Sequence, residues 1–470
     1  MNMPNLKEAR KRTNSEVETI YYKENEKYKD IAKNKKYFLK TYGCQMNEHD
    51  SENIKAMLEY MGFIETENME KADLILLNTC SIRENANNKV FGMLGRAKHL
   101  KEIRKDIIVG MTGCMTQEEI VANKIKKDYK WMNFVLGTHK LEQLSETVYN
   151  SLMNKELIID APSVEGKIVE DLPVIRNSKY KAFVNIMYGC DKFCTYCIVP
   201  YTRGKQRSRD HKDILNEVKI LKEQGYQEVT LLGQNVNAYG KDLKTDYTMA
   251  NLLEDVAKIG IPRIRFVTSH PWDFDDKMID VIANYENVMP SIHLPLQSGN
   301  KDILKLMGRR YTKEEYLELF NKLKSKIKDV SITTDIIVGF PNETKEQFLD
   351  TLDVVNKCKF DLAFTFIYSK RDGTPAARMD DKIPLDEKEE RLQELNNLIN
   401  KYGLENNKRY ENKIVKVLVE GISSKDSKLM GYTETNKLVN FTGPKDIIGK
   451  IVNVKITEAK TWSLDGEYIE

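Results

Sequence analysis

The sequence predicts an α/β protein with three successive domains: a parallel α/β sheet domain, a partial (β/α)6 barrel and a small antiparallel β-barrel at the carboxyl end. Short apolar runs alternate with helical 3.6-residue patterns in the first third of the chain. The same alternation resumes for six further units, and short alternating runs punctuated by glycine follow them. We therefore predict domains at residues 35–153, 177–407 and 408–470.

The amino-terminal part divides into a tail, a domain and a linker. Residues 1–34 are mostly charged, and we interpret them as a frayed tail able to form one helix. The domain contains four apolar strand candidates, at residues 37–39, 73–77, 106–111 and 133–136. Helical patterns accompany them at residues 50–61, 84–104, 116–126 and 140–153. Residues 154–176 lack periodicity and contain Pro162, Gly166 and Pro173, which is typical of a linker.

The central domain repeats a strand-then-helix pattern six times. Strand candidates lie at residues 182–187, 228–232, 263–268, 291–294, 331–338 and 363–368. Helical patterns lie at residues 210–224, 248–259, 274–285, 300–307, 312–327 and 344–358. In barrels of this kind the active site gathers at the carboxyl ends of the strands.

The carboxyl-terminal domain follows a long polar helical pattern at residues 385–407. Three short alternating strand candidates come next, at residues 414–419, 437–441 and 451–456. Gly431, Gly443-Pro444 and Gly449 punctuate them, as in a small β-barrel.

Composition excludes several broad classes of protein. The 74 basic and 71 acidic residues leave a net charge of only +3, so any nucleic-acid-binding surface must be local. No run approaches the roughly 20 apolar residues that cross a bilayer, and the first residues lack the apolar core of a signal peptide. We expect a cytoplasmic protein. Its 7 cysteines do not form a disulfide-like framework and are expected to be reduced.

Three cysteines with C-x3-C-x2-C spacing follow the first barrel strand: Cys190, Cys194 and Cys197, here called the barrel triad. Three thiolates this close can hold three irons of a 4Fe-4S cluster, which leaves the fourth iron open to a small chelating ligand. The alternative is a zinc knuckle, but zinc sites favour two-residue gaps and four ligands. The next cysteine along the chain, Cys358, is interpreted as a bystander thiol.

A second set consists of Cys44, Cys80 and Cys114, here called the sheet triad. Each follows an apolar strand candidate and precedes the polar start of a helix. Because the carboxyl ends of neighbouring parallel strands lie side by side, we expect the three thiols to meet. Gly43 and Gly113 would let the backbone turn tightly beside an inorganic cluster. The alternative is three ordinary buried cysteines.

The residues around these cysteines resemble a known family, the radical S-adenosylmethionine (SAM) methylthiotransferases. The similar segments are TYGCQMN at residues 41–47, NTCSIRENA at residues 78–86, GCM at residues 113–115 and the barrel triad. The terminal domain is similar to the TRAM type, so the resemblance spans about residues 36–470. Within the family, the segments are similar to the branch that acts on isopentenylated adenosine in tRNA.

The resemblance implies an enzyme that adds a methylthio group to C2 of N6-isopentenyladenosine at tRNA position 37, next to the anticodon. The barrel triad would bind the 4Fe-4S cluster that cleaves SAM to a 5'-deoxyadenosyl radical. The sheet triad would hold a second 4Fe-4S cluster, which carries the sulfur to be methylated and transferred. A radical route is chemically reasonable because C2 of adenine has no acidic proton. No catalytic residue beyond the cluster ligands is predicted.

The family also places SAM contacts at the ends of the second, fourth and fifth barrel strands. The corresponding candidates here are Gln234, Asn235, Gln297, Asp335 and Val338. Amide side chains would hydrogen-bond the SAM amino group, and apolar atoms would flank the purine. The alternative is ordinary barrel filling. Where the family usually has glycine, this chain has Asn342, which tolerates a left-handed backbone, so the turn is expected to survive.

Contacts with the anticodon stem-loop of tRNA are expected from local features. Arginines near the strand-end loops are candidates for phosphate contacts, with a solvated surface as the alternative: Arg203, Arg207, Arg209, Arg309 and Arg310. The resemblance to the TRAM domain implies that the terminal domain binds RNA. Tyr432, Phe441 and Trp462 are candidate stacking platforms there, or else core residues of the barrel.

Other partners and functions remain open at this point. The resemblance implies a low-potential electron donor such as flavodoxin or ferredoxin, and we expect a monomer without membrane contacts. One alternative is the same chemistry on threonylcarbamoyladenosine in tRNA or on a ribosomal protein side chain. Another is a non-catalytic RNA-binding protein with an electron-transfer cluster.

Overall fold

The computed structural model describes residues 1–11, 17–81, 84–154, 156–163, 166–423 and 428–470. Ile82 and Arg83 of the second family segment lie outside these residues, as do parts of the predicted tail and linker. The chain divides into two compact units. The first comprises Met1–Asn177, Met187–Arg209 and Arg371–Thr374, and the second comprises Ser178–Ile186, Asp210–Lys370 and Pro375–Glu470.

The first unit is built on a parallel sheet flanked by helices. Its strands are β1 (Thr19–Tyr21), β2 (Lys36–Thr41), β3 (Ile64–Glu65), β4 (Leu74–Thr79), β5 (Ile108–Gly113), β6 (Phe134–Leu136), β7 (Ile158–Asp160) and β8 (Ile168–Glu170). Its helices are α1 (Leu6–Ala9), α2 (Gln45–Tyr60), α3 (Glu84–Ile103), α4 (Glu119–Asp128) and α5 (Leu144–Met153). Six strands form the sheet in the order β3-β2-β4-β5-β6-β7, all parallel. The predicted parallel α/β domain is confirmed.

Alternation along the central strands explains why both faces of the sheet are covered. Ile75 and Leu77 of β4 pack into one buried apolar cluster together with Leu94 of α3. Leu74 and Leu76 of the same strand pack into a cluster on the other face. A strand that is buried on both sides has a continuous apolar sequence, as is usual in parallel sheets.

Two expectations about the ends of this domain are wrong. The predicted tail contains β1, which pairs in parallel with β8, and Asn2 forms a parallel bridge with Asp160. The predicted linker contains β7, the sixth strand of the main sheet, and β8. Each of these strands is only three residues long, too short for periodicity to reveal it.

The segment that carries the barrel triad leaves the barrel directly after its first strand, β9 (Lys181–Asn185). It forms β10 (Met187–Tyr188), the short helix α6 (Val199–Thr202) and β11 (Arg207–Ser208). β10 and β11 pair antiparallel. This segment belongs to the first unit, whereas β9 belongs to the second.

The second unit contains the predicted (β/α)6 arrangement. The other strands are β12 (Glu228–Leu232), β13 (Arg263–Phe266), β14 (Ser291–His293), β15 (Ser331–Val338) and β16 (Leu362–Ile367). The helices are α7 (His211–Glu223), α8 (Met249–Ile259), α9 (Asp276–Asn284), α10 (Lys301–Leu306), α11 (Lys313–Lys326) and α12 (Lys345–Cys358). Two parallel three-stranded sheets, β13-β12-β9 and β14-β15-β16, are joined by a parallel bridge between Ile264 and Val288. Within the described residues β9 and β16 do not pair, so the barrel is partial.

The terminal domain follows α13 (Leu385–Lys408) and is a closed five-stranded barrel. Its strands are β17 (Ile414–Ile422), β18 (Leu429–Thr433), β19 (Leu438–Thr442), β20 (Ile451–Ala459) and β21 (Leu464–Ile469). The small barrel is confirmed. Its pairings are antiparallel apart from the parallel pair β19 and β21.

Sequence reasoning missed β18 and β21 because each contains a glycine in its interior. A Cβ atom built on Gly431 would overlap the carbonyl oxygen of Leu418, and one on Gly466 would lie 2.7 Å from the carbonyl oxygen of Lys455. These glycines therefore mark close approach of a neighbouring backbone rather than turns. Among the described residues, no helix combines the length and apolarity needed to cross a bilayer.

Candidate functional site

The structure brings the thiols of the sheet triad together at the carboxyl edge of the first unit's sheet. Cys80 and Cys114 directly follow β4 and β5, and Cys44 follows β2 after Tyr42 and Gly43; the three strands are adjacent in the sheet. The sulfurs of Cys44 and Cys114 lie 4.0 and 3.9 Å from Oδ1 of Asn47. A Cβ atom built on Gly43 would lie 2.8 Å from the sulfur of Cys80. The three thiols therefore surround the amino-terminal end of α2.

These thiols are neighbours around Asn47 rather than ligands of a single ion. Among the described residues, no three His, Cys, Asp or Glu side chains are close enough to hold one metal ion in common. In a cubane cluster each cysteine binds a different iron. The donor set, three free thiols, is the chemistry that iron–sulfur clusters use.

Asn47 is held by a buried network that sequence reasoning did not assign to the site. Its side-chain amide donates to the carbonyl oxygens of Tyr42 and Thr79, at 2.8 and 2.9 Å. Asn78 donates to the carbonyl oxygen of Asn47 and to Oγ of Ser51, both at 2.9 Å. Oδ1 of Asn47 is thereby directed at the sulfurs. The only sequence signal was the presence of Asn47 and Asn78 in the similar segments.

The glycines beside the sheet triad have backbone conformations that other residues rarely adopt. Gly43 has a φ of 118° and Gly113 a φ of 94°. A Cβ atom on Gly43 would lie 2.6 Å from Cβ of Cys80, and one on Gly113 would overlap the carbonyl oxygen of Thr79. Both glycines are needed for the strands to end this close together.

Gly113→Ala is expected to disorder the sheet triad while the barrel triad stays intact. The methyl group meets a backbone oxygen at a positive φ, so the cost exceeds about 1 kcal/mol. The family resemblance implies a 4Fe-4S cluster on each triad, so iron content after anaerobic reconstitution is expected to fall from about eight to about four per chain. Gly95→Ala is the control, because its Cβ atom on α3 meets nothing within 4 Å. Full iron content in Gly113→Ala would contradict the close fit.

Burial is the largest influence on the pKa of the Cys114 thiol, which is raised to about 12. The Arg203 guanidinium opposes this shift, and the neighbouring thiols of Cys80 and Cys44 contribute to it. Cys80 and Cys114 are 1% and 4% exposed. Without a metal the Cys114 thiol is protonated, whereas a coordinated thiol is deprotonated outright. A cation bound by Cys114 would therefore replace the proton that burial otherwise retains on this thiol.

The barrel triad lies on a tight loop of the first unit. The amide of Cys197 donates to the carbonyl oxygen of Cys194 at 3.0 Å, and the amide of Cys190 donates to Gly204 at 3.1 Å. Burial raises the pKa of the Cys190 thiol to about 11. Cys194 is buried, while Cys190 and Cys197 remain partly exposed. A small ligand can therefore approach one side of the loop.

An apolar cluster packs against this loop. Phe193 has a φ of 48°, and its ring packs edge-on against Tyr201 with 5.9 Å between the centroids. Ala9, Leu6 and Ile198 complete the cluster. The amino-terminal residues therefore form part of the support of the barrel triad. A positive φ at a phenylalanine is unusual and is often found at functional sites.

The SAM candidates all lie in the second unit. Gln234 and Asn235 directly follow β12, and Nδ2 of Asn235 donates to Asp273 at 2.7 Å. Gln297 has a φ of 69°, and its amide donates to the carbonyl oxygen of Asp335 at 2.8 Å. Gln297 and Asp335 are therefore adjacent, and Oδ2 of Asp335 also lies 3.2 Å from Nε2 of His293.

The side chain of Val338 does not share a face with Asp335. Along β15 the side chains alternate, so that Ile336 and Val338 are at most 1% exposed whereas Asp335 and Ile337 are partly exposed. Ile337 is the apolar residue on the more open face. Of Ile337 and Val338, the two apolar residues expected to flank the purine, only the side chain of Ile337 lies on this face.

Two further polar residues near these strand ends, beyond the five named SAM candidates, are buried. Asn237 is 5% exposed, and neither of its side-chain amide atoms has a hydrogen-bond partner. Oγ of Ser269, which follows β13, also lacks a partner. Buried polar groups in native proteins are normally satisfied, so both residues are candidates for ligand contacts. The amide-rich run at residues 234–237 was the available sequence signal for Asn237.

Comparison with known proteins identifies three regions of the chain. The radical SAM superfamily matches residues 184–355, the uncharacterized protein family UPF0004 matches residues 36–137, and the TRAM domain matches residues 408–469. The radical SAM match implies a 4Fe-4S cluster and SAM.

Curated relatives named tRNA-2-methylthio-N(6)-dimethylallyladenosine synthase match almost the whole chain. The relative from Staphylococcus epidermidis is 54% identical over 472 residues, which cover 99% of this chain and 91% of the relative. The relative from Shouchella clausii is 55% identical over 470 residues, covering 99% and 90%. The chain belongs to this synthase family. The predicted family resemblance is confirmed.

Solved structures agree with the fold expected for the synthase family. The radical SAM methyltransferase TsrM from Kitasatospora setae has a TM-score of 0.52 at 13% identity, covering 73% of this chain and 75% of that one. At this identity the likeness concerns the fold alone.

The predicted phosphate-binding arginines are mostly buried in this member of the synthase family. Arg203, Arg207, Arg209 and Arg309 are 6%, 3%, 7% and 7% exposed. Nε of Arg209 donates to Glu170 at 2.7 Å, and Arg309 donates to the carbonyl oxygen of Pro295 at 3.0 Å. Predicting these four as surface phosphate contacts is wrong, because buried guanidinium groups require internal partners that sequence does not reveal.

Arg310 and two tryptophans remain exposed. The guanidinium of Arg310 lies 5.1 Å from the ring centroid of Trp272, which is 47% exposed. In the terminal barrel Phe441 is fully buried, as a core residue, and Tyr432 is partly buried, whereas Trp462 is 62% exposed. Phe441 is therefore excluded as a stacking platform.

Proposed function

We propose that this protein is a radical SAM methylthiotransferase that converts N6-isopentenyladenosine at position 37 of tRNA to 2-methylthio-N6-isopentenyladenosine. The observation that carries the proposal is the meeting of Cys44, Cys80 and Cys114 in a chain that also has the barrel triad. Full-length similarity to synthases of that name supports the choice of substrate. Threonylcarbamoyladenosine and ribosomal protein substrates are not favoured.

In this proposal the two triads hold two 4Fe-4S clusters. When bound, the clusters and SAM supply reductive cleavage of SAM and the sulfur that is methylated and transferred. The chain's own contribution is to hold the thiolates, to position SAM and to exclude water. The proposed polar contacts for SAM are Gln234, Asn235, Asn237, Gln297 and Asp335, and Ile337 is the proposed apolar contact.

The partners of the reaction follow from its chemistry. Reductive cleavage requires a low-potential electron donor such as flavodoxin or ferredoxin. We propose a monomer in the cytoplasm, where a reducing environment would keep all seven cysteines out of disulfide bonds.

The test of substrate choice uses anaerobically reconstituted enzyme, SAM and a reductant. It compares one tRNA with and without the isopentenyl group at position 37. Mass spectrometry of the nucleosides is expected to show the methylthio group only on the isopentenylated tRNA. Equal modification of both tRNAs would contradict the proposed substrate.

Trp272→Ala is expected to weaken binding of substrate tRNA about tenfold, because the exposed indole beside Arg310 offers a stacking surface for an unpaired base. Arg310→Gln is expected to reduce the magnitude of the slope of log affinity against log salt concentration by about 1, which corresponds to the loss of one phosphate contact. Fluorescence anisotropy with an anticodon stem-loop measures both effects. Ile220→Ala, an exposed apolar residue on α7, is the control. Unchanged affinity in Trp272→Ala would remove this surface from the tRNA site.

A further inference from the structure

The guanidinium of Arg203 lies against the sheet triad, although its backbone belongs to the segment that carries the barrel triad. Nε of Arg203 donates to the sulfur of Cys114 at 3.1 Å. Nη2 donates to Oδ1 of Asn47 at 2.7 Å and to Oδ2 of Asp50 at 2.8 Å. One side chain thus contacts a predicted iron ligand, the asparagine at the centre of the sheet triad and a carboxylate of α2.

The surroundings of Arg203 keep it charged and fixed. The side chain is almost fully buried, and burial alone would lower its pKa. Asp50 and the thiols of Cys114 and Cys44 outweigh this effect and raise the pKa well above its ordinary value. A buried cation is costly unless its partners stay in place. Arg203 therefore depends on the sheet triad, and the sheet triad gains a permanent donor.

The backbone around Arg203 is also anchored to the sheet domain. The hydroxyl of Thr138 donates to the carbonyl oxygen of Thr202 at 3.0 Å. The amide of Arg203 donates to the carbonyl oxygen of Val199 at 2.8 Å, which ends α6. These hydrogen bonds fix the backbone from which the Arg203 side chain extends, six residues after Cys197.

We propose that Arg203 is a positioning residue of the sheet triad: its N–H···S hydrogen bond orients the sulfur of Cys114 and tunes the reduction potential of the cluster bound there. The inference rests on the proposed function, in which the sheet triad holds a 4Fe-4S cluster. Hydrogen bonds to the ligating sulfurs are among the factors that set cluster potentials, and residues behind the ligands orient them. Removing the donor leaves more negative charge on the sulfur and makes reduction harder.

The test isolates the cluster of the sheet triad. Arg203→Gln and Arg203→Lys are made in a C190A/C194A/C197A background and reconstituted with iron and sulfide. The midpoint potential of the cluster is then measured by redox titration, with the reduced cluster followed by electron spin resonance. Both variants are expected to keep about four irons per chain. The midpoint potential is expected to shift to more negative values, further for glutamine than for lysine, because lysine retains the charge but not the three-way hydrogen bonding.

Arg209→Gln is the matched control. Arg209 is buried in the same segment, and Nε donates to Glu170 at 2.7 Å instead of to a sulfur. Its midpoint potential is expected to equal that of the parent. Equal potentials in both Arg203 variants and the parent, or an equally large shift in Arg209→Gln, would overturn the role of Arg203. If Arg203→Gln does not fold, Arg203→Lys decides. A parent that binds no iron would overturn the proposed function itself.

Discussion

Alanine in place of any one cysteine of the barrel triad is expected to abolish reductive SAM cleavage and methylthio transfer together. The reason is the loop geometry at Cys190, Cys194 and Cys197. A tight turn between Cys194 and Cys197 gives three thiols and no spare one, since Cys358 belongs to α12 of the second unit. A cluster that loses one of three ligands loses both its anchorage and the single open iron position.

The measurements are iron content, 5'-deoxyadenosine formation and nucleoside mass spectrometry on the same preparation. Iron is expected to fall from about eight to about four per chain, because the cluster proposed for the sheet triad keeps all three of its ligands. Cys358→Ala is the control, since that thiol is buried and far along the chain from either triad. It is expected to retain both activities. Undiminished SAM cleavage in a barrel-triad variant would refute the assignment of that triad.

Alanine in place of Cys44, Cys80 or Cys114 is expected to separate the two activities. SAM cleavage should continue, because the barrel triad retains all three of its thiols. Methylthio transfer should be lost, because the second cluster is proposed to carry the sulfur.

The contrast between the two sets of variants makes this prediction specific. Both sets should contain about four irons per chain, yet only the sheet-triad variants should form 5'-deoxyadenosine. General unfolding would remove both activities in both sets. Methylthiolated tRNA from a sheet-triad variant would show that the second set is structural, as in the alternative of three ordinary buried cysteines.

The sequence predicted the convergence of the sheet triad for a sound physical reason. A parallel sheet places the carboxyl ends of adjacent strands at one edge, so cysteines after β2, β4 and β5 had to be near one another. The turn at Asn342 also behaves as expected, with a φ of 67°. Local backbone rules and sheet topology were sufficient for both.

What the sequence did not reveal depends on contacts between distant segments. Arg203 was predicted to be a surface arginine because the residues next to it in the sequence do not indicate that Asp50 and Cys114 are its partners. The strands β1, β7 and β8 are too short for periodicity, and their pairing joins residues near the amino terminus to residues beyond 157. Gly431 and Gly466 interrupt the alternating apolar pattern of their strands, so the pattern did not predict these strands. Both positions require glycine because the neighbouring backbone leaves no room for a Cβ atom.

The placement of Met187–Arg209 within the first unit also constrains how the protein is made. A ribosome that has released only the first 177 residues has produced the sheet domain without the arginine that faces Cys114. Completion of this unit must wait for residue 209, and its last strip, Arg371–Thr374, emerges later still. The cluster of the sheet triad is therefore expected to be loaded late, after translation. A gene fragment that ends at residue 177 would encode a cluster site without Arg203.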